Sequence, residues 1–163
     1  MKTNDINLIE CINNKTDKYR IRWDVKLIND GKHERVVFKH IDIMHKPSLS
    51  EVKTIVLNGY NDIIDQAILS GFKWKDMPVW LSTENQFNYK AAYDLAFQTN
   101  GASLPTVFKF GDTENPIYYK FDTLEDLQDF YVKAMRYINE QLAIGWAKKD
   151  AIDWSKYEEA LNV

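Results

Sequence analysis

Val79-Trp80-Leu81-Ser82-Thr83-Glu84-Asn85-Gln86, VWLSTENQ, changes character midway, from three apolar residues to five polar ones. A strand-like apolar run stops at Leu81, and a helical pattern starts at Ser82 or Thr83. Thr83 and Gln86 have capping-box spacing, and Glu84 in the first turn suits the positive end of a helix dipole. Phe87, Ala91, Leu95, Ala96 and Thr99 continue the helix until Asn100-Gly101 stops it. The polar run is thereby read as a strand-to-helix junction, the mark of mixed α and β structure. Capping does not need Asn85 or Asn88. A second reading therefore stands beside the first: Trp74, Trp80 and Tyr89 as an aromatic platform rimmed by Glu84, Asn85, Gln86 and Asn88.

Upstream, residues 19–28 alternate. Tyr19, Ile21, Trp23, Val25 and Leu27 share one face, and Arg20, Arg22, Asp24 and Lys26 share the other, which predicts a half-buried strand. Asn29-Asp30-Gly31-Lys32 is a hairpin signal, and residues 36–44 form the return strand. Residues 6–12 supply a third strand, so residues 1–46 read as a small antiparallel β-meander. Ser48 and Glu51 form a capping box. They open a helix with Val52, Ile55, Val56, Gly59, Ile63, Ala67 and Ile68 on one stripe and Gly71 at its C′ position. Residues 72–74 and 79–81 are expected to pair as short strands joined through Lys75-Asp76-Met77-Pro78.

Downstream, residues 104–110 and 117–121 flank the turn Gly111-Asp112-Thr113-Glu114-Asn115-Pro116, a second hairpin. Asp122 or Thr123 caps a long helix with Glu125 and Asp126 in its first turn. Leu124, Leu127, Tyr131, Ala134, Ile138 and Gln141, with Phe130, Tyr137 and Ile144, give it a wide apolar stripe. The predicted fold is α+β: a meander over 1–46, then helix–hairpin–helix–hairpin–long helix over 47–163.

Composition bounds the function. The chain has 163 residues and a net charge of −3, from 21 Lys and Arg against 24 Asp and Glu. Neither sign runs in a block, so no electrostatic footprint for nucleic acid or an anionic membrane is expected. No apolar run reaches the ~20 residues of a membrane span. The acid-bearing N-terminus lacks the apolar core of a signal peptide. The single cysteine, Cys11, cannot form an internal disulfide. Aromatic residues make up 13%, enough for a large core or a ring-rich contact surface.

Signals for chemistry are sparse. The three histidines, His33, His40 and His45, all precede the first helix. His40 and Asp42 share a strand face, but a metal site wants three or four convergent ligands. Asn29 to Lys32 holds one glycine and no phosphate cradle. Ser82 lies outside a Gly-x-Ser-x-Gly elbow. Adjacent carboxylates such as Glu125 and Asp126 point about 100° apart on a helix and do not converge. No catalytic residue, metal or cofactor is expected, and the chain is read as not an enzyme.

Residues 49–153 carry a resemblance. The order is Ile68-Leu69-Ser70-Gly71-Phe72-Lys73-Trp74, then the VWLSTENQ segment, then Leu104-Pro105 with Phe108-Lys109-Phe110. Tyr119-Lys120-Phe121-Asp122-Thr123 follows, then Ile144-Gly145-Trp146 and Lys149-Asp150-Ala151-Ile152-Asp153. This resembles a domain family of unknown function found in bacterial and bacteriophage proteins, at the C-terminal end of tail or tail-fibre-associated polypeptides. The resemblance implies a setting, the virion or the bacterial host cytoplasm. Partners would be other virion or tail proteins, a second copy of the chain, or both, and no catalytic residue is carried over. A free-standing module for a glycan or peptide, using the Trp74–Trp80–Tyr89 platform, is the alternative. A small enzyme would need Glu84, Asp94 or a histidine to converge with another polar group.

Overall fold

The computed structural model describes residues 6–29, 31 and 33–162. Met1–Asp5 and the hairpin residues Asp30 and Lys32, on which parts of the sequence reading fall, lie outside the described residues, as does Val163. Among the described residues the architecture is α+β, with a three-stranded antiparallel sheet before the first of four helices. The strands are β1 (Ile9–Asn13), β2 (Lys18–Asn29), β3 (Glu34–Ile43), β4 (Lys73–Trp74), β5 (Met77–Pro78), β6 (Thr106–Gly111) and β7 (Pro116–Phe121). The helices are α1 (Leu49–Gly71), α2 (Thr83–Gln98), α3 (Leu124–Asp150) and α4 (Trp154–Leu161). None of them is long and apolar enough to cross a membrane. The chain divides into two compact units, Met1–Asp62 with Ala147–Val163, and Ile63–Trp146. The boundary expected at 46/47 falls inside the first unit.

In the first unit the sheet order is β1-β2-β3. Ile9 and Ile21 are paired in register and buried against Val52 and Val56 of α1 and Tyr157 of α4. The alternation expected along β2 breaks at Asp24, where φ is +50° and the β2–β3 register shifts between Trp23 and Lys26. A bulge of this kind inserts an unpaired residue and re-aims the side chains after it. Leu27 and Ile28 are consequently exposed, not core. Arg22 departs from the wet face assigned to it and is only 8% exposed. Its guanidinium donates to Asn7 O at 2.6 Å and Glu10 Oε2 at 2.5 Å and lies 5.0 Å over the Phe38 ring. Those contacts offset the cost of burying the charge, while its Nε is buried without a hydrogen-bond partner among the described residues. Ser48 Oγ accepts from Glu51 N at 3.2 Å as predicted, while the Glu51 carboxylate meets His45 Nε2 at 2.9 Å. Tyr157 Oη donates to Arg22 O at 2.8 Å, tying α4 to β2.

The second unit is built around rings. Trp74, Tyr89, Phe110, Phe121 and Phe130 are all buried, with Leu81, Leu127, Ala96 and Ala134 among them. Trp74 lies 5.2 Å from Phe121 and 5.4 Å from Phe130, and Tyr89 5.0 Å from Phe130, centroid to centroid. Such spacings add to the burial gain. Gly71 serves close packing and not a left-handed C′ turn. A Cβ there would collide with Tyr137 Oη, which donates to Ala67 O at 2.7 Å. Ile144, placed on the buried stripe of α3 by its spacing, is 50% exposed; Gly145 is the buried residue, and a Cβ on it would collide with Ile64.

Candidate functional site

The junction that the sequence singled out is assembled from backbone outward. β4 and β5 form a hairpin shorter than expected, with Trp74 opposite Met77 and Lys75-Asp76 as a two-residue turn. Both turn residues have positive φ, 48° and 62°, the primed geometry that matches strand twist. Val79, Trp80 and Leu81 leave the ladder, held by Val79 N–H to Phe72 O and Leu81 N–H to Leu69 O, both 3.0 Å. Ser82, one residue before the predicted capping box, is the N-cap of α2; its Oγ accepts from Asn85 N at 3.2 Å. A short polar side chain at this position satisfies an amide that the helix leaves free.

The seven candidate residues part company. Trp74 and Tyr89 are 2% and 3% exposed and belong to the core. Burial pushes the Tyr89 phenol up to about 12. Trp80 is half-exposed. Asn85 Nδ2 donates to Trp80 O and Gln86 Nε2 to Leu81 O, both at 2.8 Å. These two amides staple the incoming chain to the first turn of α2. Glu84 and Asn88 are exposed. The platform of Trp74, Trp80 and Tyr89 is therefore not formed: the interior claims two of its three rings because their apolar area is worth more there.

The stripe read as the buried face of α2 lies mostly outside. Phe87 is 71% exposed and Leu95 53%, with Ala91 exposed between them and only Ala96 of that set buried. Tyr89, Ala96 and the half-buried Tyr93, which stacks on Tyr131 at 4.6 Å, face inward instead. Glu84, Phe87, Asn88, Ala91, Asp94, Leu95 and Gln98 share the outward face by helical spacing.

Two concavities and one polar cluster escaped the sequence reading. Beside the β4–β5 turn, Lys75 Nζ bonds Asp126 Oδ1 at 2.6 Å and Tyr119 Oη at 2.8 Å, and lies 4.3 Å over the Trp74 ring. Tyr119 Oη donates to Asp126 Oδ2 at 2.7 Å, and Trp74 Nε1 to Asp129 Oδ2 at 3.1 Å. Lys75, Tyr119, Asp126 and Asp129 line a shallow cleft of about 490 Å³. Asp126 and then Tyr119 raise the Lys75 pKa, which keeps it an ammonium, suited to bridging and not to nucleophilic attack. The cluster offsets the cost of a lysine in left-handed backbone, roughly 1–2 kcal/mol. A two-residue loop between Trp74 and Met77 was its available signal. In the first unit, Trp23, Tyr60, Ile152, Tyr157, Lys148 and Lys156 line a larger pocket of about 700 Å³. Its walls come from segments far apart in sequence, so no local pattern announces it.

The remaining candidates do not converge. Asp94 pairs with Lys90 four residues away. His40 packs edge-on to Phe38, and His45 pairs with Glu51. Among the described residues no group of three or more His, Cys, Asp or Glu is arranged to hold a metal ion.

No curated protein and no solved structure matches the chain. A family profile does, over residues 51–162. The match spans all four helices save the first residues of α1, together with both hairpins of the second unit, so the chain belongs to the family described as Domain of unknown function (DUF4376).

Proposed function

We propose that this protein is a non-enzymatic structural component of a bacteriophage or prophage tail, or an associated factor, that works through protein–protein contacts. The observation that carries the reading is the outward α2 face, with Phe87 71% and Leu95 53% exposed beside a fully formed ring core. A chain with enough buried rings to fold keeps a row of apolar side chains in water, and such rows mark contact surfaces. The resemblance of residues 49–153 to tail-associated polypeptides supplies the setting. The test is mass spectrometry of particles purified after induction of the genome that encodes the chain. Recovery in the particle or in an assembly intermediate is expected; absence from both overturns the proposal.

A second reading, a module for a glycan or short peptide, is favoured by the first-unit pocket rather than by the dismantled platform. Its volume falls in the range of small-molecule sites, and Trp23, Tyr60 and Tyr157 provide stacking walls. Binding of oligosaccharides or peptides that disappears in Trp23→Ala, with the fold intact by circular dichroism, would favour this reading over the first.

A further inference from the structure

We infer that the first-unit pocket is a site for a small carboxylate carried on an aromatic body, with the Lys148 ammonium as the group that holds the acid. This rests on the small-ligand reading above and assigns the chemical class of that ligand. The pocket has a volume of about 700 Å³, within the range of small-molecule sites. Much of its wall is apolar, from Trp23, Tyr60, Leu8, Ile152 and Ala160. Trp23 lies against Gly59 of α1, where a Cβ would fall 2.5 Å from the indole Nε1. That nitrogen is buried there and has no hydrogen-bond partner among the described residues. The indole therefore offers a ligand ring surface and not a donor.

Polar recognition falls to the groups left unspent. Asp24 Oδ2 already accepts from Lys26 Nζ at 2.6 Å, and Asp153 Oδ1 from Ser155 N at 3.2 Å and Ser155 Oγ at 2.6 Å. Tyr157 Oη is committed to Arg22 O. The two lysines of the pocket are not committed. Lys156 Nζ stays 3.9 Å from Asp153, beyond hydrogen-bond reach. Lys148 is one of three half-buried lysines among the described residues. Lys18 pairs with Asp42 at 3.1 Å, and Lys149 Nζ donates to Asn61 Oδ1 at 2.9 Å. Lys148 alone of the three has neither hydrogen bond nor ion pair among the described residues. The negative end of α3 favours a cation in its last turn, but Lys149 serves that end too and is still bonded. A half-buried ammonium without an acceptor costs free energy that an anion in the pocket would recover. Asp24, Asp153 and the exposed Glu159 stand on the same walls. They repel a phosphate dianion more than a single carboxylate, which selects a monoanion.

Titrations of the full chain, followed by amide and indole NMR shifts, test this with phenylpropionate, its neutral counterpart phenylpropionamide, and propionate. Phenylpropionate is expected to shift Trp23 and Lys148 and to bind with a Kd of about 1 mM or tighter. Phenylpropionamide lacks the charge and propionate lacks the ring, so each should bind roughly tenfold or more weakly. Lys148→Gln should erase the preference for acid over amide, and Lys148→Arg should keep it. Lys109→Gln, at an exposed position outside the pocket, should leave it unchanged. N-acetylphenylalanine separates the two sources of such an acid. Tighter binding than phenylpropionate assigns the site to the C-terminus of a peptide and weaker binding to a free acid, and either supports the inference. No shift with phenylpropionate up to about 10 mM, equal affinity for acid and amide, tighter binding of phenyl phosphate, or a preference untouched by Lys148→Gln overturns it. If methyl glucoside or a C-terminally amidated peptide binds in the pocket while the acids do not, the inference falls and the small-ligand reading stands; if none of them binds, both fall.

Discussion

Tyr137 passes its hydroxyl over Gly71 to reach the Ala67 carbonyl at 2.7 Å. The glycine is required because any Cβ at that position collides with the phenol oxygen. Gly71→Ala should therefore destabilise the protein by about 1–3 kcal/mol through overpacking. Tyr137→Phe removes the colliding atom, so the second alanine substitution should cost far less in that background. A double-mutant cycle by urea denaturation measures the coupling, and additive effects would refute the contact.

The separation of Trp74 from Trp80 makes a direct comparison possible. Trp74 is 2% exposed and surrounded by rings, and Trp80 is 50% exposed. Trp74→Ala should cost about 3–5 kcal/mol, and Trp80→Ala about 0.5 kcal/mol or less. Acrylamide quenching of a variant retaining only Trp80 should be strong, and of one retaining only Trp74 weak.

At the junction, two amides each serve one carbonyl, Asn85 that of Trp80 and Gln86 that of Leu81. Asn85→Ala and Gln86→Ala should each lose about 0.5–1.5 kcal/mol, and Ser82→Ala about 1 kcal/mol through the lost cap. Hydrogen exchange should speed up in residues 79–86 first. Unchanged protection there would show that the amides are ornamental.

Asp42 links the meander to pH. Arg20 grips its carboxylate with Nε to Oδ1 at 2.7 Å and a second bond at 3.0 Å, and Lys18 adds an ion pair at 3.1 Å. The Arg20 hydrogen bonds, with help from Lys18, hold the carboxyl well below its ordinary 3.8. Because folding favours the ionised form, its contribution is complete above the ordinary value and drains away as pH falls through the depressed one. The stability gap between the natural chain and Asp42→Asn should be widest near pH 7 and narrow progressively below about pH 4. A gap independent of pH would contradict this.

Much of this molecule is local. The period-two run in β2 up to Trp23, the Ser48 cap, the Asn100-Gly101 stop and the acidic start of α3 are decided by neighbours within a few residues, and the α+β class follows from them. Sequence periodicity says which residues of α2 share a face, but not which way that face turns. Tyr89, Tyr93 and Ala96 form one arc and Phe87, Ala91 and Leu95 another, and only the rings of Phe108 and Phe130 waiting beneath Tyr89 choose between them. The same holds for Arg22, drawn inside by Glu10 and the Asn7 carbonyl, and for Lys75, held by Asp126 fifty-one positions away. Short-range hydrogen bonding and steric preference write the elements. Which side chains are spent on the core, and which are left over for a partner, is settled by long-range packing, where burial free energy is shared among segments that the linear order keeps apart.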